Sequence, residues 1–178
     1  MRVTLNHAEL TMPKGSLTNE KKREIVDFYR DVLGFEESSV ANVPPKYKPS
    51  LVGRQGEFME RFSQEHNLVL RITSAWPYPV LVLTESETPI EYGTDGILPH
   101  LGVLLGSAQE VRDVLRKLQE RARTDPYVEF AKAPEELAAA TSSDAYAGFY
   151  FKYRTPFWWD VHYIDRTANP PIDFHDHG

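Results

Sequence analysis

Apolar and polar residues alternate along Arg2–Met12. Val3, Leu5, His7 and Glu9 share one face and Thr4, Asn6, Ala8 and Leu10 the other, which predicts a strand. Pro13-Lys14-Gly15 ends it. Ser16 and Thr18 then offer helix-start side chains, and Ile25, Phe28, Tyr29, Val32 and Leu33 recur at helical spacing. Gly34 follows the last of these, where glycine adopts the left-handed conformation of a helix stop at little cost. A short strand is expected from Phe35 to Val43, closed by Pro44-Pro45. The polar stretch 46–66 has no clear period, and a short helix over Gly56–Glu65 and a mobile loop over a pocket are both open readings. Strands resume at Asn67–Thr73 and Pro79–Thr84, separated by a Trp76-Pro77-Tyr78-Pro79 corner.

Residues 89–96 carry Pro, Gly and charges, the composition of a linker. After them the order repeats. A strand is expected over Ile97–Leu105 around His100. Ser107 and Glu110 have the spacing of a capping box, in which each side chain satisfies a backbone donor of the helix's first turn. Val111, Val114, Leu115 and Leu118 make the buried stripe of that helix. Strands follow at about Tyr127–Lys132, Gly148–Tyr153 and Phe157–Ile164, and a tail with Pro170-Pro171 and His175-Asp176-His177 closes the chain. The order is thus βαβββ twice. Each module has one helix face and one sheet face to bury, so we expect an α+β fold. In it both sheets curve around a central metal or substrate cavity, with the helices outside. The expected domain covers 1–165, as module one 1–88 and module two 97–165, with a tail 166–178.

Composition narrows the class. The 178 residues suffice for one full core, or for two small modules sharing one. A hydrophobic fraction of 41% and a charged fraction of 26% are those of an ordinary globular protein. The net charge of −6 argues against a nucleic-acid partner, since phosphate binding needs a basic surface. No cysteine is present, which excludes disulfides, thiolate metal sites and a cysteine nucleophile. Without an apolar leader or a membrane-length segment, a cytoplasmic location and no membrane partner are expected.

Candidate chemistry comes from three separated strands. His7 and His100 open equivalent strands of the two repeats, and Asp160 lies in the apolar, aromatic run Trp158-Trp159-Asp160-Val161-His162-Tyr163. Two imidazoles and one carboxylate make up a facial metal site with open positions. A buried carboxylate needs compensation, and the alternative to a cation is an arginine such as Arg71 or Arg154. His162 shares a strand face with Asp160 by period two, so it could support Asp160, act as an acid/base group, or replace it as ligand. Glu9 stands in the same relation to His7. The tail histidines have metal-friendly types but read as surface residues, and His66 has no evident partner.

The chain resembles the vicinal-oxygen-chelate family, the glyoxalase/bleomycin-resistance/dioxygenase fold. The matching pieces are Asn6-His7-Ala8-Glu9-Leu10, Phe28-Tyr29-Arg30-Asp31-Val32-Leu33-Gly34-Phe35, Pro99-His100-Leu101-Gly102-Val103, and Phe149-Tyr150-Phe151 leading to Trp159-Asp160-Val161-His162. They run from His7 to about Asp165. The resemblance implies metal ligands at His7, His100 and Asp160, with no fourth ligand among Pro79, Val80 and Leu81. Two departures stand out: aspartate replaces the usual glutamate, and the closing turn Arg154-Thr155-Pro156-Phe157-Trp158 lacks glycine. Tyr150, ten residues before Asp160, stands where ring-cleaving dioxygenases of the family carry a catalytic tyrosine, although Thr141-Ser142-Ser143-Asp144 lacks their accompanying histidine.

The expectation is therefore a metalloenzyme, with Fe(II) as the preferred metal. It would act as an oxygenase on a small aromatic or vicinal-oxygen substrate, with Tyr150, His162 and Glu9 as candidate catalytic groups. The alternatives are a Zn, Mn or Ni lyase, isomerase or epimerase, and a non-catalytic drug-binding protein. Both module halves are present, so one site per chain is the simpler expectation; a homodimer stays open.

Overall fold

The computed structural model describes residues 7–38, 67–72, 80–88 and 100–167. The expectations for 2–6, 39–66, the Trp76 corner, the linker 89–96 and the tail beyond 167 lie outside the described residues. The chain divides into two compact units, Met1–Glu91 and Tyr92–Gly178.

The first unit contains β1 (His7–Pro13), α1 (Asn19–Leu33), β2 (Glu36–Ser38), β3 (Asn67–Arg71) and β4 (Val80–Ser86). Its sheet has the order β1-β4-β3-β2, with β1 parallel to β4 and the other pairs antiparallel. Thr18 caps α1 by accepting the Lys21 amide, and Gly34 closes it at φ 71°, as the spacing predicted. The buried stripe is Ile25, Val26, Phe28, Tyr29 and Val32, while Leu33 is half-buried. Tyr29 stacks on Phe35 at 5.9 Å between ring centroids, which ties the helix end to the chain entering β2. Met12, Leu68, Leu70, Leu81 and Leu83 supply the apolar side chains of the sheet.

The second unit contains β5 (His100–Leu104), α2 (Ala108–Ala122), β6 (Val128–Phe130), α3 (Pro134–Ala140), β7 (Tyr146–Tyr153) and β8 (Trp158–Ile164). Its sheet repeats the first topology: β5-β8-β7-β6, with β5 parallel to β8. The two four-stranded mixed sheets with their helices make the fold α+β. Helix α2 buries Val111, Val114, Leu115 and Leu118 and packs on β7 and β8. Along those strands Ala147, Phe149, Phe151, Tyr153, Trp159 and Val161 are buried. Period two therefore sends the residues between them to the opposite face.

One local expectation needs correction, and two local features go beyond the expectations. The capping box is only half made: Ser107 Oγ accepts the Glu110 amide at 3.2 Å, but the Glu110 carboxylate takes the Gly106 amide at 2.7 Å. Helix α3 was not foreseen. Its signals are Pro134 at the first turn, Glu135 and Glu136 at the positive end of the helix, and an alanine run. One buried side chain, Leu137, is too little to make a periodic stripe. Finally, the glycine-free turn between β7 and β8 still uses the left-handed conformation, at Arg154 with φ 52°. That guanidinium lies 3.6 Å from the centroid of the Tyr127 ring, and Thr155 donates its hydroxyl to the Phe157 carbonyl at 3.1 Å. No helix among the described residues is long and apolar enough to cross a membrane.

Candidate functional site

The site is built on the face of the second sheet that α2 leaves uncovered. In register, His100 lies opposite Trp158, Gly102 opposite Asp160, and Leu104 opposite His162. On the other side of β8, Tyr150 lies opposite Asp160 and Gly148 opposite His162. Residues directly opposite each other project from the same side of a sheet. His100, Tyr146, Tyr150, Trp158, Asp160 and His162 thus form one surface, while Phe149, Phe151, Trp159 and Val161 anchor its underside in the core.

Asp160 is the centre of this surface. His162 Nδ1 lies 3.2 Å from Asp160 Oδ2, and the two side chains are only 14% and 16% exposed. On the neighbouring strand, burial together with the negative charge of Asp160, the nearby Tyr146 and a hydrogen bond to Asp160 raises the Tyr150 phenol above its usual range. Tyr150 therefore stays a neutral donor. The His100 ring meets Tyr150 edge-on, with centroids 5.3 Å apart and an interplanar angle of 87°. Beside them, Lys152 Nζ lies 5.0 Å from the centroid of the Trp158 ring and 3.0 Å from Glu129. Trp158 thus belongs to the open face and its neighbour Trp159 to the core.

Tyr146 is a member of this cluster that sequence reasoning missed. Burial and the charge of Asp160 raise its phenol as well. Its hydroxyl lies across Gly148, 3.2 Å from where a β-carbon there would stand. The signal was available: Tyr146, Gly148 and Tyr150 are spaced by two, so glycine separates two phenols on one face.

The arginines considered as partners of Asp160 are engaged elsewhere: Arg71 pairs with Glu36, and Arg154 stacks on Tyr127. Glu9, exposed on β1, accepts the Thr84 hydroxyl at 3.1 Å. His7 is the first residue of β1, its backbone in register with Val80, and its side chain lies outside the described ones. Among the described residues, no group of three or more His, Asp or Glu side chains is placed to hold a metal ion. The donors that are present, an imidazole on β5 and a sheltered carboxylate on β8, fit a first-row divalent ion in kind. A third donor would have to come from elsewhere.

No protein-family model matches the chain, and no curated protein matches it in sequence. Solved structures do match. A glyoxalase/dioxygenase from Nostoc punctiforme is 14% identical with a TM-score of 0.54, over 91% of each chain. A glyoxalase/bleomycin resistance protein/dioxygenase from Nocardioides is 14% identical with a TM-score of 0.50, over 97% of this chain and 91% of that one. A genomically encoded fosfomycin resistance protein from Listeria monocytogenes is 13% identical with a TM-score of 0.51, over 93% and 94%. At these identities the shared property is the fold, that of the glyoxalase/bleomycin-resistance/dioxygenase structures.

Proposed function

We propose that this chain is a divalent-metal enzyme of the vicinal-oxygen-chelate type, with His7, His100 and Asp160 as ligands. Its substrate would be a small aromatic molecule, or one carrying two adjacent oxygens, and its metal Fe(II) in an oxygenase. The observation that carries this reading is Asp160, sheltered between Tyr150 and His162 on the helix-free face, with His100 on the adjoining strand. When bound, the metal supplies a Lewis-acid centre for the substrate oxygens and, as Fe(II), reducing electrons for oxygen chemistry.

The chain's own residues supply binding and proton placement. Tyr150 keeps its proton and can donate a hydrogen bond to a substrate oxygen next to Asp160. Tyr146 offers a second phenol from the same strand. Trp158 and the edge of His100 give the flat apolar contact that an aromatic ring needs. Val161, Trp159 and Phe149 hold β7 and β8 rigid from beneath, so these groups keep their spacing.

The test is elemental analysis of protein prepared without added metal, followed by oxygen uptake over a panel of catechols and other vicinal-oxygen compounds. We expect one divalent ion per chain and its loss in His7→Ala, His100→Ala and Asp160→Ala. Oxygen consumption with the iron-loaded protein supports the oxygenase form. Turnover with Zn, Mn or Ni and no oxygen uptake would replace it by a lyase, isomerase or epimerase. Full metal content in all three variants would remove the site assignment.

A further inference from the structure

The open face of the second sheet is polarised along its strands. Trp158 and Asp160 on β8, and Lys152 and Tyr150 on β7, are each two residues apart and project from the same side. Lys152 is the only lysine or arginine among the described strand residues of this face. Its Nζ lies 5.0 Å from the centroid of the Trp158 ring and 3.0 Å from Glu129, which stands directly opposite on β6. The Lys152 side chain is 27% exposed and that of Glu129 53%, so Glu129 holds the ammonium from the rim. A carboxylate thus marks the middle of the face and a cation over an indole marks one end. Two residues of strand, about 6.6 Å, separate their rows.

We propose that this face binds an aromatic carboxylic acid bearing a ring hydroxyl: the acid group at Lys152, the ring against Trp158, the hydroxyl donating to Asp160. The inference names a substrate class and rests on the small-aromatic part of the reading above, but it needs no bound metal. Hydrogen-bond chemistry fixes the order of the groups. Lysine only donates, so the group it receives is an acceptor, and an anion gains most. A carboxylate only accepts, so the other end of the ligand must donate. Tyr150 fills one of the roughly four acceptor positions of Asp160, which leaves room for a hydroxyl. The ammonium has several donors, and Glu129 approaches it from one side. Ion pairs with an exposed partner are weak, so an incoming carboxylate competes with Glu129 on nearly equal terms. A benzene ring with hydroxyl and carboxyl groups at opposite ends bridges two residues of strand.

The experiment is isothermal titration calorimetry on the chelator-treated full chain with 3,4-dihydroxybenzoate, its methyl ester and benzoate. Acid and ester share ring and hydroxyls and differ at the charged group, whereas benzoate keeps the charge and lacks the donors. We expect the dihydroxy acid to bind about tenfold or more tightly than either. Lys152→Met should bring the acid down to the ester and leave the ester unchanged. Glu129→Gln should tighten the acid, by removing its competitor, and again leave the ester unchanged. A purely structural Lys152–Glu129 pair predicts otherwise, since neither substitution would then change the ratio of acid to ester. Far-UV circular dichroism of each variant confirms that the sheet is intact.

Equal affinity for acid and ester, or no binding of the acid, overturns the proposal. So does an undiminished preference for the acid in Lys152→Met, or weaker acid binding in Glu129→Gln. Benzoate binding as tightly as the dihydroxy acid removes the Asp160 contact, and the proposal with it. Elemental analysis of the untreated parent protein reads the metal assignment separately. Protein that holds no metal yet prefers the acid keeps this inference and loses the metal site; one divalent ion per chain without that preference does the reverse.

Discussion

Gly102 and Gly148 flank the same histidine, yet adding one methyl group to each should shift stability in opposite directions. At Gly148 the new β-carbon would meet His162 Cβ at 3.0 Å, the Tyr146 hydroxyl at 3.2 Å and the Val161 carbonyl at 3.4 Å. The hydroxyl is the far end of a side chain and can swing away. The other two atoms cannot move unless β8 moves, and β8 is anchored by Trp159 and Val161 in the core. Overpacking of this kind costs about 1–3 kcal/mol. Alanine also reduces the freedom of the unfolded chain, which returns about 0.4–1 kcal/mol. Gly148→Ala should therefore lose on the order of 1 kcal/mol net.

At Gly102 the only neighbour is His162 Cε1 at 3.5 Å, an ordinary van der Waals contact at the tip of a side chain. The entropic gain of about 0.4–1 kcal/mol then stands alone. Urea unfolding followed by near-UV circular dichroism reads both variants in the same unit. With a denaturant slope of about 1–3 kcal/mol per molar, the two midpoints should separate by roughly 0.5–2 M, Gly102→Ala above the parent and Gly148→Ala below it. A Gly148→Ala variant as stable as Gly102→Ala would show that His162 does not fill the space between the two glycines.

Other consequences can be checked independently. Tyr146 and Tyr150 have raised phenol ionisation, so their contribution to stability is complete below the free tyrosine value of about 10 and is lost as pH rises through their folded values. Absorbance at 295 nm should show ionisation above that value, the Tyr150→Phe difference spectrum should isolate one late phenol, and alkaline loss of stability should be shallower in that variant. Arg154→Ala should lose about 0.5–1 kcal/mol with the Tyr127 stacking, while Arg154→Gly should be more stable than Arg154→Ala by about 1 kcal/mol, because glycine tolerates φ 52°. Equal stability of those two variants in urea would discount strain at that turn. Trp159→Ala, which empties a fully buried site beneath Asp160, should cost about 3–5 kcal/mol and lower the melting temperature accordingly.

Residue order alone determined the elements whose cause is local. The stripe of α1, its Thr18 cap and its Gly34 stop follow from 3.6-residue spacing and from which residues accept a left-handed turn. So do the stripe of α2 and the alternation of β7 and β8, and with them the doubled βαβββ plan and the α+β class. Helix α3 escaped because seven residues with a single buried leucine have no period to detect. The candidate site was legible only in part: His100, Tyr150, Asp160 and His162 were each singled out, and period two put His162 on the face of Asp160, but the cross-strand geometry was not readable. Cross-strand register brought them together, aligning Tyr150 and Gly102 with Asp160 on either side. Register depends on how the Arg154 turn closes and on which strand faces pack against α2, both consequences of contacts distant in sequence. The same long-range packing engaged Arg154 with Tyr127, left Asp160 to a phenol and an imidazole, and turned two unremarked glycines into the seat of His162.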